Sequence, residues 1–113
     1  AAENILLDKA KVFYWDDITA LPENAVLLDV RTQKEVDAGI IPNALHIPVD
    51  ELRGRTGEIP TDKPIYIYCA AGLRGSLAQR ILLQHDFAQV YNLSGGYQLW
   101  NVCQKELALL PKN

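Results

Sequence analysis

The sequence predicts an α/β fold in which helices cover both faces of a central parallel sheet. Three observations lead to this prediction. Short apolar runs such as 65–68 alternate with helically spaced segments, a pattern typical of parallel strands buried on both faces. The 113 residues are the length of one domain, so we expect a single domain over 1–113. The chain is 49% hydrophobic and 22% charged, which is typical of a globular protein with a real core.

The first elements are short. The apolar run 12–15 predicts a strand. Asp16 or Asp17 is then expected to cap a brief helix that ends before Pro22, because the residue preceding a proline disfavours helical geometry. The run 26–30 is almost wholly apolar and predicts a strand that is buried on both faces.

The next segments predict two short helices around a strand. Thr32 and Glu35 have the spacing of a capping box, and Gly39 marks the end of that helix. The run 44–47 predicts a short strand that stops at a proline. Asp50 is expected to cap a further helix that ends near Arg55.

The second half of the chain repeats the alternation. The run 65–68 follows a turn signal and predicts a second buried strand. A helix is predicted from Ser76 to His85, with an apolar stripe formed by Leu77, Ala78, Ile81 and Leu82. The run 90–93 predicts the last strand. Gly95-Gly96 opens a final helical stretch whose apolar residues are Leu99, Trp100, Leu107 and Leu110.

Composition and charge exclude several classes of protein. Eleven basic and 14 acidic residues give a net charge of −3, whereas a nucleic-acid-binding face usually leaves a basic excess. No apolar run approaches the roughly 20 residues needed to cross a bilayer, and no signal-like segment opens the sequence. We therefore expect no nucleic-acid partner, no membrane partner and a cytoplasmic location.

The chain contains two cysteines, Cys69 and Cys103, and two histidines, His46 and His85. Two cysteines are too few for a disulfide scaffold, and the histidines lie at no metal-ligand spacing from them, so no metal site is predicted. Cys103 has two interpretations, a resolving thiol for Cys69 or a buried and inert helix residue. Because the chain has no methionine, we expect it to be processed or cut from a longer protein.

The segment that follows the strand at 65–68 carries the strongest chemical signal. In open α/β sheets, ligands bind beyond the carboxyl ends of the strands, which is where Cys69 lies. Gly72 and Gly75 permit the unusual dihedral angles and close approach that turn backbone N–H groups inward. The next helix directs its positive end at the same point, and Arg74 adds a guanidinium. The predicted anion-binding residues are Ala70, Ala71, Gly72, Leu73, Arg74 and Gly75.

Such a cradle gives Cys69 a chemical role. A helix N-terminus and a nearby arginine favour the thiolate form of a cysteine, which is the nucleophilic form. The same N–H groups would hold an anionic sulfur compound during attack and stabilise the outer sulfur of a persulfide on Cys69. The alternative is that Cys69 is only a small buried residue that ends a strand.

These residues and three further segments resemble the rhodanese domain. Cys69-Ala70-Ala71-Gly72-Leu73-Arg74 is similar to the active-site loop of that family. The other matching segments, in order, are Leu28-Asp29-Val30-Arg31 with Glu35, Gly39-Ile40-Ile41-Pro42-Asn43-Ala44-Leu45-His46-Ile47-Pro48, and Gly95-Gly96-Tyr97-Gln98-Leu99-Trp100. The resemblance implies a five-stranded sheet flanked by helices and a catalytic Cys69 that cycles through a persulfide. Ile40 and Asn43 depart from the family pattern, which has histidine and glycine there, and put the local packing in question.

The resemblance also implies partners. Asp50-Glu51-Leu52-Arg53, Lys63-Pro64-Ile65-Tyr66 and Gly72-Leu73-Arg74-Gly75 are similar to the rhodanese domain of coenzyme A-disulfide reductase or NADH oxidase-type flavoproteins. This implies small sulfur-containing anions as donors, thiol or cyanide acceptors, and a flavoprotein module as a partner. FAD and NADH would bind to that module, because this chain has no Gly-x-Gly-x-x-Gly motif.

Two other functions remain open on the sequence alone. One is a non-catalytic interaction or regulatory domain with the same fold. The other is a cysteine-dependent phosphatase or arsenate reductase, which typically has Cys-x5-Arg, whereas this loop has Cys-x4-Arg. The uncharged Ala70 and Ala71 favour a persulfide or polysulfide donor over thiosulfate, for which cationic loop side chains are expected.

Several polar and aromatic residues are given structural interpretations. Arg31 is expected to pair with Asp29 or Glu35 and thereby fix the end of a strand. His46 is predicted to be a turn residue with a satisfied ring, and His85 to be favoured at a helix C-terminus. Trp100 is predicted to lie in the core or to form a lid near the loop. Tyr66 and Tyr68 are predicted to be strand residues whose hydroxyls bond to nearby groups.

Overall fold

A computed structural model describes residues 11–110. Residues 1–10 and 111–113, which the single-domain prediction includes, lie outside the described part. The five strands are β1 (Val12–Phe13), β2 (Val26–Asp29), β3 (Leu45–His46), β4 (Ile65–Tyr68) and β5 (Val90–Leu93). The four α-helices are α1 (Gln33–Asp37), α2 (Leu52–Arg55), α3 (Leu73–Gln84) and α4 (Gly96–Leu109). Short 3-10 turns cover Trp15–Ala20, Val49–Glu51 and Thr56–Glu58.

The strands form one parallel sheet in the order β1-β5-β4-β2-β3. The predicted α/β fold with a five-stranded parallel sheet flanked by helices is therefore confirmed. β4 lies in the middle, with Ile67 in register with Leu28 of β2 on one side and Asn92 of β5 on the other. Because all strands run in the same direction, the residues that follow β2 and β4 meet at one edge of the sheet.

The core has two parts, one on each face of the sheet. On one face, the buried Ala78, Ile81 and Leu82 of α3 pack against β2 and β4 residues such as Leu28 and Ile67. On the other face, a smaller cluster receives partly buried side chains from α4, and its members are Phe13, Leu27, Ile41, Tyr68, Leu93, Tyr97 and Trp100. The helices α3 and α4 therefore cover opposite faces.

The boundaries of several elements differ from the sequence prediction. The first helix is a 3-10 turn capped at Tyr14, whose backbone N–H donates to the Asp17 carboxylate at 2.8 Å, so Asp17 acts from inside the turn. Asp50 likewise lies inside a 3-10 turn that begins after Pro48. Leu77 was predicted to be in the apolar stripe but is 47% exposed. The capping box of Thr32 and Glu35 is present.

The two departures from the family pattern lie between α1 and β3. Asn43 adopts φ +72°, the left-handed region in which the family glycine has no steric cost. Asparagine tolerates this region better than most residues, which explains why it can replace glycine there. Ile40 is partly exposed, at 36%, so its apolar side chain disturbs no core contact. Within residues 11–110, no helix has both the length and the apolar character to span a bilayer.

Candidate active site

Cys69 follows directly after β4 and is only 1% exposed. The chain turns back immediately, so that the Gly72 N–H donates to the Cys69 Sγ at 2.9 Å. Gly72 has φ +118°, a region that other residues rarely adopt, and it forms the N-cap of α3. The sulfur therefore lies at the N-terminus of a 12-residue helix, where the helix dipole favours negative charge.

A second helix holds the loop from behind. The first turn of α4 donates two hydrogen bonds to the loop, from Tyr97 N–H to the Cys69 carbonyl at 2.7 Å and from Gln98 N–H to the Ala70 carbonyl at 3.0 Å. In a planar trans peptide the N–H points opposite to the C=O. The N–H groups of Ala70 and Ala71 therefore point away from α4.

The close contact between α4 and the loop depends on Gly95 and Gly96. Both have positive φ, +79° and +61°. A Cβ at Gly96 would lie 2.5 Å from the Cys69 carbonyl oxygen, well inside van der Waals contact. From the sequence, Gly95-Gly96 is predicted to start a helix and belongs to a segment that resembles the rhodanese family, but its contact with the Cys69 loop is not predicted. The double glycine was the available signal, but sequence alone does not reveal which strand end the helix meets.

Three of the six predicted anion-binding residues belong to a helix rather than to a loop. α3 begins at Leu73 rather than Ser76, so Leu73, Arg74 and Gly75 form its first turn rather than a loop. The Leu73 side chain is 83% exposed, and only its backbone faces the loop. Gly75 has no positive φ. It is buried, and a Cβ there would collide with the side chain of Asn92.

Arg74 faces a partner that the sequence analysis did not assign to it. Its Nη1 and Nη2 donate to the two Glu35 carboxylate oxygens at 2.7 and 2.8 Å. Hydrogen bonds from this guanidinium, helped by those from Thr32 and opposed by burial, lower the pKa of Glu35 from 4.5 to about 2. The Glu35 contact raises the pKa of Arg74, and the charge of Cys69 adds to the effect. Arg74 thus joins α1 to α3, with both ends of its guanidinium already bonded to a carboxylate.

A buried ion pair supports the adjacent strand end. Arg31 Nη2 donates to Asp29 Oδ2 at 2.7 Å and to the Gly39 carbonyl at 2.7 Å, which confirms the predicted pairing with Asp29. Burial alone would lower the pKa of Arg31, but the hydrogen bonds and charge of Asp29 outweigh it and raise the pKa. The guanidinium carbon lies 4.0 Å from the Tyr97 ring centroid, so the pair also supports the first turn of α4.

The hydroxyl of Tyr68 is bonded over a long sequence distance rather than locally. It accepts a hydrogen bond from the Ile41 N–H at 3.0 Å, 27 residues away in the chain. Burial raises the pKa of Tyr68, and hydrogen bonding to Asp29 raises it further. Tyr68 therefore remains a neutral core residue that connects the Asp29–Arg31 pair to the segment before β3.

The other candidates take structural positions. His46 lies in β3 rather than in the predicted turn, and its Nε2 contacts the Arg31 carbonyl at 2.7 Å. His85 Nδ1 contacts the Ile81 carbonyl at 2.8 Å in the last turn of α3. Trp100 packs against Tyr97, with ring centroids 5.5 Å apart.

Both cysteines are free. Cys103 lies two turns into α4, about 10 Å along the helix from Gly96. Among residues 11–110, no group of three or more potential ligands is placed to hold a metal ion.

Comparison with known proteins identifies the family. The sequence model described as "Rhodanese-like domain" matches residues 16–103. The chain belongs to the rhodanese-like family. A protein named Sulfurtransferase from Allochromatium vinosum is 40% identical over 78 residues, which are 69% of this chain and 73% of that protein. The rhodanese resemblance stated from the sequence is therefore confirmed.

Two solved structures place similar rhodanese-like domains within much longer chains. Reduced CoADR-RHD from Bacillus anthracis superposes with a TM-score of 0.83 at 39% identity, over 93% of this chain and 19% of that one. A NAD-dependent persulfide reductase from A. fulgidus superposes with a TM-score of 0.70 at 36% identity, over 88% of this chain and 17% of that one. This chain thus spans less than a fifth of either structure, and their activities belong to those longer proteins.

Proposed function

We propose that this rhodanese-like chain is a sulfurtransferase that carries sulfane sulfur on Cys69 as a persulfide. One observation carries the proposal, namely the Gly72 N–H at 2.9 Å from the Cys69 sulfur in a loop whose carbonyls are held on its outer side. Inward N–H groups stabilise negative charge on sulfur, both in the thiolate and in the persulfide.

The reaction consists of two nucleophilic half-reactions with no net oxidation. The Cys69 thiolate attacks the outer sulfur of an anionic donor, the donor's S–S bond breaks with its electron pair on the leaving thiolate or sulfite, and a new S–S bond forms on Cys69. An acceptor thiolate, or cyanide, then attacks the outer sulfur of that persulfide. The S–S bond to Cys69 breaks, and the Cys69 thiolate is regenerated.

Persulfides or polysulfides are the donor class that the site favours. Residues 70–73 carry no charged side chain, and the Arg74 guanidinium is already paired with the Glu35 carboxylate at 2.7 and 2.8 Å. Backbone N–H groups are therefore the main source of positive potential for an incoming anion. A persulfide with one negative charge suits such a cradle better than thiosulfate, which carries two.

The domain is further proposed to act with a flavoprotein module. Two observations support this step: the likeness to CoADR-RHD and to a NAD-dependent persulfide reductase, and the small share of those chains that this domain spans. In this arrangement Cys69 exchanges sulfane sulfur with the flavin module through a small-thiol or coenzyme A persulfide. NADH bound to that module supplies the two electrons that reduce the sulfane sulfur to sulfide. FAD and NADH would bind outside this chain, which has no dinucleotide-binding fingerprint.

Mass spectrometry of the intact protein tests the sulfurtransferase proposal. The reduced protein is incubated with cysteine persulfide or, separately, with thiosulfate, beside the variants Cys69→Ala and Cys103→Ala. We expect the wild type and Cys103→Ala to gain one sulfur atom and Cys69→Ala to gain none, with faster loading from the persulfide. Failure of both donors to load the wild type would contradict the proposal. If Cys69 were then alkylated no faster than Cys103, the non-catalytic interaction domain would be favoured.

A further inference from the structure

Asn92 lies in β5, directly beneath the first turn of α3. Its side chain is buried, with the residue only 6% exposed. The Nδ2 group donates to the Gly72 carbonyl at 3.0 Å and to the Ser76 Oγ at 3.2 Å. A strand residue 20 positions away in the chain is therefore bonded to the glycine whose N–H contacts the Cys69 sulfur.

Keeping an asparagine at this position has two costs. Its Oδ1 is buried and has no hydrogen-bond partner within the described part of the chain, which is unusual for a buried polar atom. Gly75 must also lack a side chain, because a Cβ there would collide with the Asn92 amide. A packing role alone would be filled better by an apolar residue, so the amide donor itself is the feature to explain.

We propose that Asn92 is a positioning residue for the sulfur site, holding the Gly72 carbonyl so that the Leu73 N–H faces the outer sulfur on Cys69. The inference rests on the proposed sulfurtransferase function. The Gly72 carbonyl accepts from both Ser76 N–H, at 3.0 Å, and Asn92 Nδ2, which fixes the direction of the Gly72–Leu73 peptide. Because the N–H of a trans peptide is opposite to its C=O, the Leu73 N–H then points back into the loop.

This contact completes the support of the loop. The carbonyls of Cys69 and Ala70 are held by α4, whereas the Gly72 carbonyl lies on the other side and is held by Asn92. The positive φ of Gly72 is one of many conformations open to glycine, so its peptides need external contacts to stay fixed. Loss of the Asn92 amide would loosen both the Gly72 N–H contact with the sulfur and the direction of the Leu73 N–H.

The first test compares two buried amides of equal exposure. Gln79 on α3 is also 6% exposed, and its Nε2 donates to the Lys11 and Val90 carbonyls at 2.9 and 2.8 Å, away from the loop. Gln79→Ala therefore measures the structural cost of losing such an amide. We expect Asn92→Ala to slow alkylation of Cys69 by iodoacetamide about fivefold, as for the loss of one hydrogen bond. Gln79→Ala should leave the rate near that of the wild type.

The second test measures how the backbone amide signals of the loop respond to sulfur loading of Cys69. In the wild type, loading sulfur onto Cys69 is expected to shift the ¹⁵N–¹H NMR signals of Ala70, Ala71 and Leu73. In Asn92→Ala, the Leu73 response should be reduced, because only the Ser76 N–H still bonds the Gly72 carbonyl, whereas Ala70 and Ala71 keep theirs because α4 still holds their peptides. Asn92→Val serves as a second variant, since a β-branched residue suits a buried strand and preserves folding.

The outcomes separate this inference from the proposed function. A full Leu73 response together with wild-type alkylation in both Asn92 variants would overturn the positioning role. Equal slowing of alkylation in Gln79→Ala would also overturn it, because the effect would then be a general loss of packing. If wild-type Cys69 accepts no sulfur, the sulfurtransferase function fails, and the alkylation comparison alone decides whether Asn92 positions the loop.

Discussion

Buried charge near the edge of the sheet that carries Cys69 belongs to two residues, Asp29 and Arg31. Asp29 is fully buried and Arg31 is 3% exposed. The Asp29 carboxylate accepts hydrogen bonds from Arg31 Nε and Nη2 and from the Arg31 backbone N–H. These bonds replace the hydration that the carboxylate loses on burial. Burying such a pair is costly, but leaving one member alone is costlier, because the remaining charge has lost both its partner and its hydration.

Asp29→Asn tests this interdependence. The variant keeps the shape of the side chain but leaves the Arg31 cation buried without a counter-charge. We expect the free energy of unfolding to fall by about 3 kcal/mol. Urea unfolding followed by circular dichroism measures the change. Asp62→Asn, at an exposed position, is the control and should change stability by no more than about 0.5 kcal/mol. An equal loss of stability in Asp29→Asn and Asp62→Asn would show that the buried ion pair has no special contribution.

Two helices from opposite faces of the sheet meet at the loop after β4. α3 contributes its N-cap Gly72 directly to the Cys69 sulfur, whereas α4 uses its first N–H groups to hold the Cys69 and Ala70 carbonyls. The orphan N–H groups that every helix has at its start are thereby satisfied in α4 by the loop. The positive end of α3 lies at the Cys69 sulfur and favours negative charge there, whereas α4 holds the backbone of the loop.

Gly96→Ala should disturb this meeting of helices. Alanine at this position would have to adopt φ +61°, and its Cβ would collide with the Cys69 carbonyl oxygen. We expect a loss of about 2 kcal/mol in stability and slower sulfur loading of Cys69, because the loop must shift. Gly54→Ala is the matched control. Gly54 lies in α2 with open space around its Cβ position, so alanine there should be neutral or stabilising by about 0.5–1 kcal/mol. Unchanged loading in Gly96→Ala would be evidence against the role of α4.

For the whole molecule, the sequence predicts the fold better than it predicts the contacts within the site. The succession of strands and helices along the chain and the position of Cys69 after a strand follow from apolar runs and a glycine-bearing turn, which are local signals. The start of α3 was misplaced by three residues because Ser76 fits a cap by type, whereas Gly72 caps through an unusual φ. The partner of Arg74 lies 39 residues away, and only tertiary packing chooses Glu35.

The Glu35–Arg74 pair gives the molecule a defined acid sensitivity. The folded state lowers the pKa of Glu35 from 4.5 to about 2, so its ionised form stabilises the fold. That contribution is fully present above pH 4.5 and is lost as the pH falls towards 2. Because both side chains are about a third exposed, solvent screens the pair, and we expect about 1 kcal/mol or less.

Thermal unfolding as a function of pH measures this contribution. Wild type should be more stable than Glu35→Gln at neutral pH, and the difference should close between pH 4.5 and 2 as Glu35 is protonated. Glu106→Gln, at an exposed position in α4, is the control, for which a small difference without this pH dependence is expected. A Glu35 difference that stays constant across that range would rule out the ion pair as its source.

The bonds from α4 to the loop join two segments that are synthesised at different times. Cys69 and the first turn of α3 are close in sequence, but the N–H groups that hold the loop from behind belong to Tyr97 and Gln98. Domains fold as units, and synthesis delivers the N-terminal residues first. A nascent chain that ends before α4 therefore contains Cys69 but lacks the N–H groups that hold its loop. The thiol acquires its full surroundings only when α4 packs against the loop, so incompletely synthesised chains carry Cys69 without the structure that surrounds it.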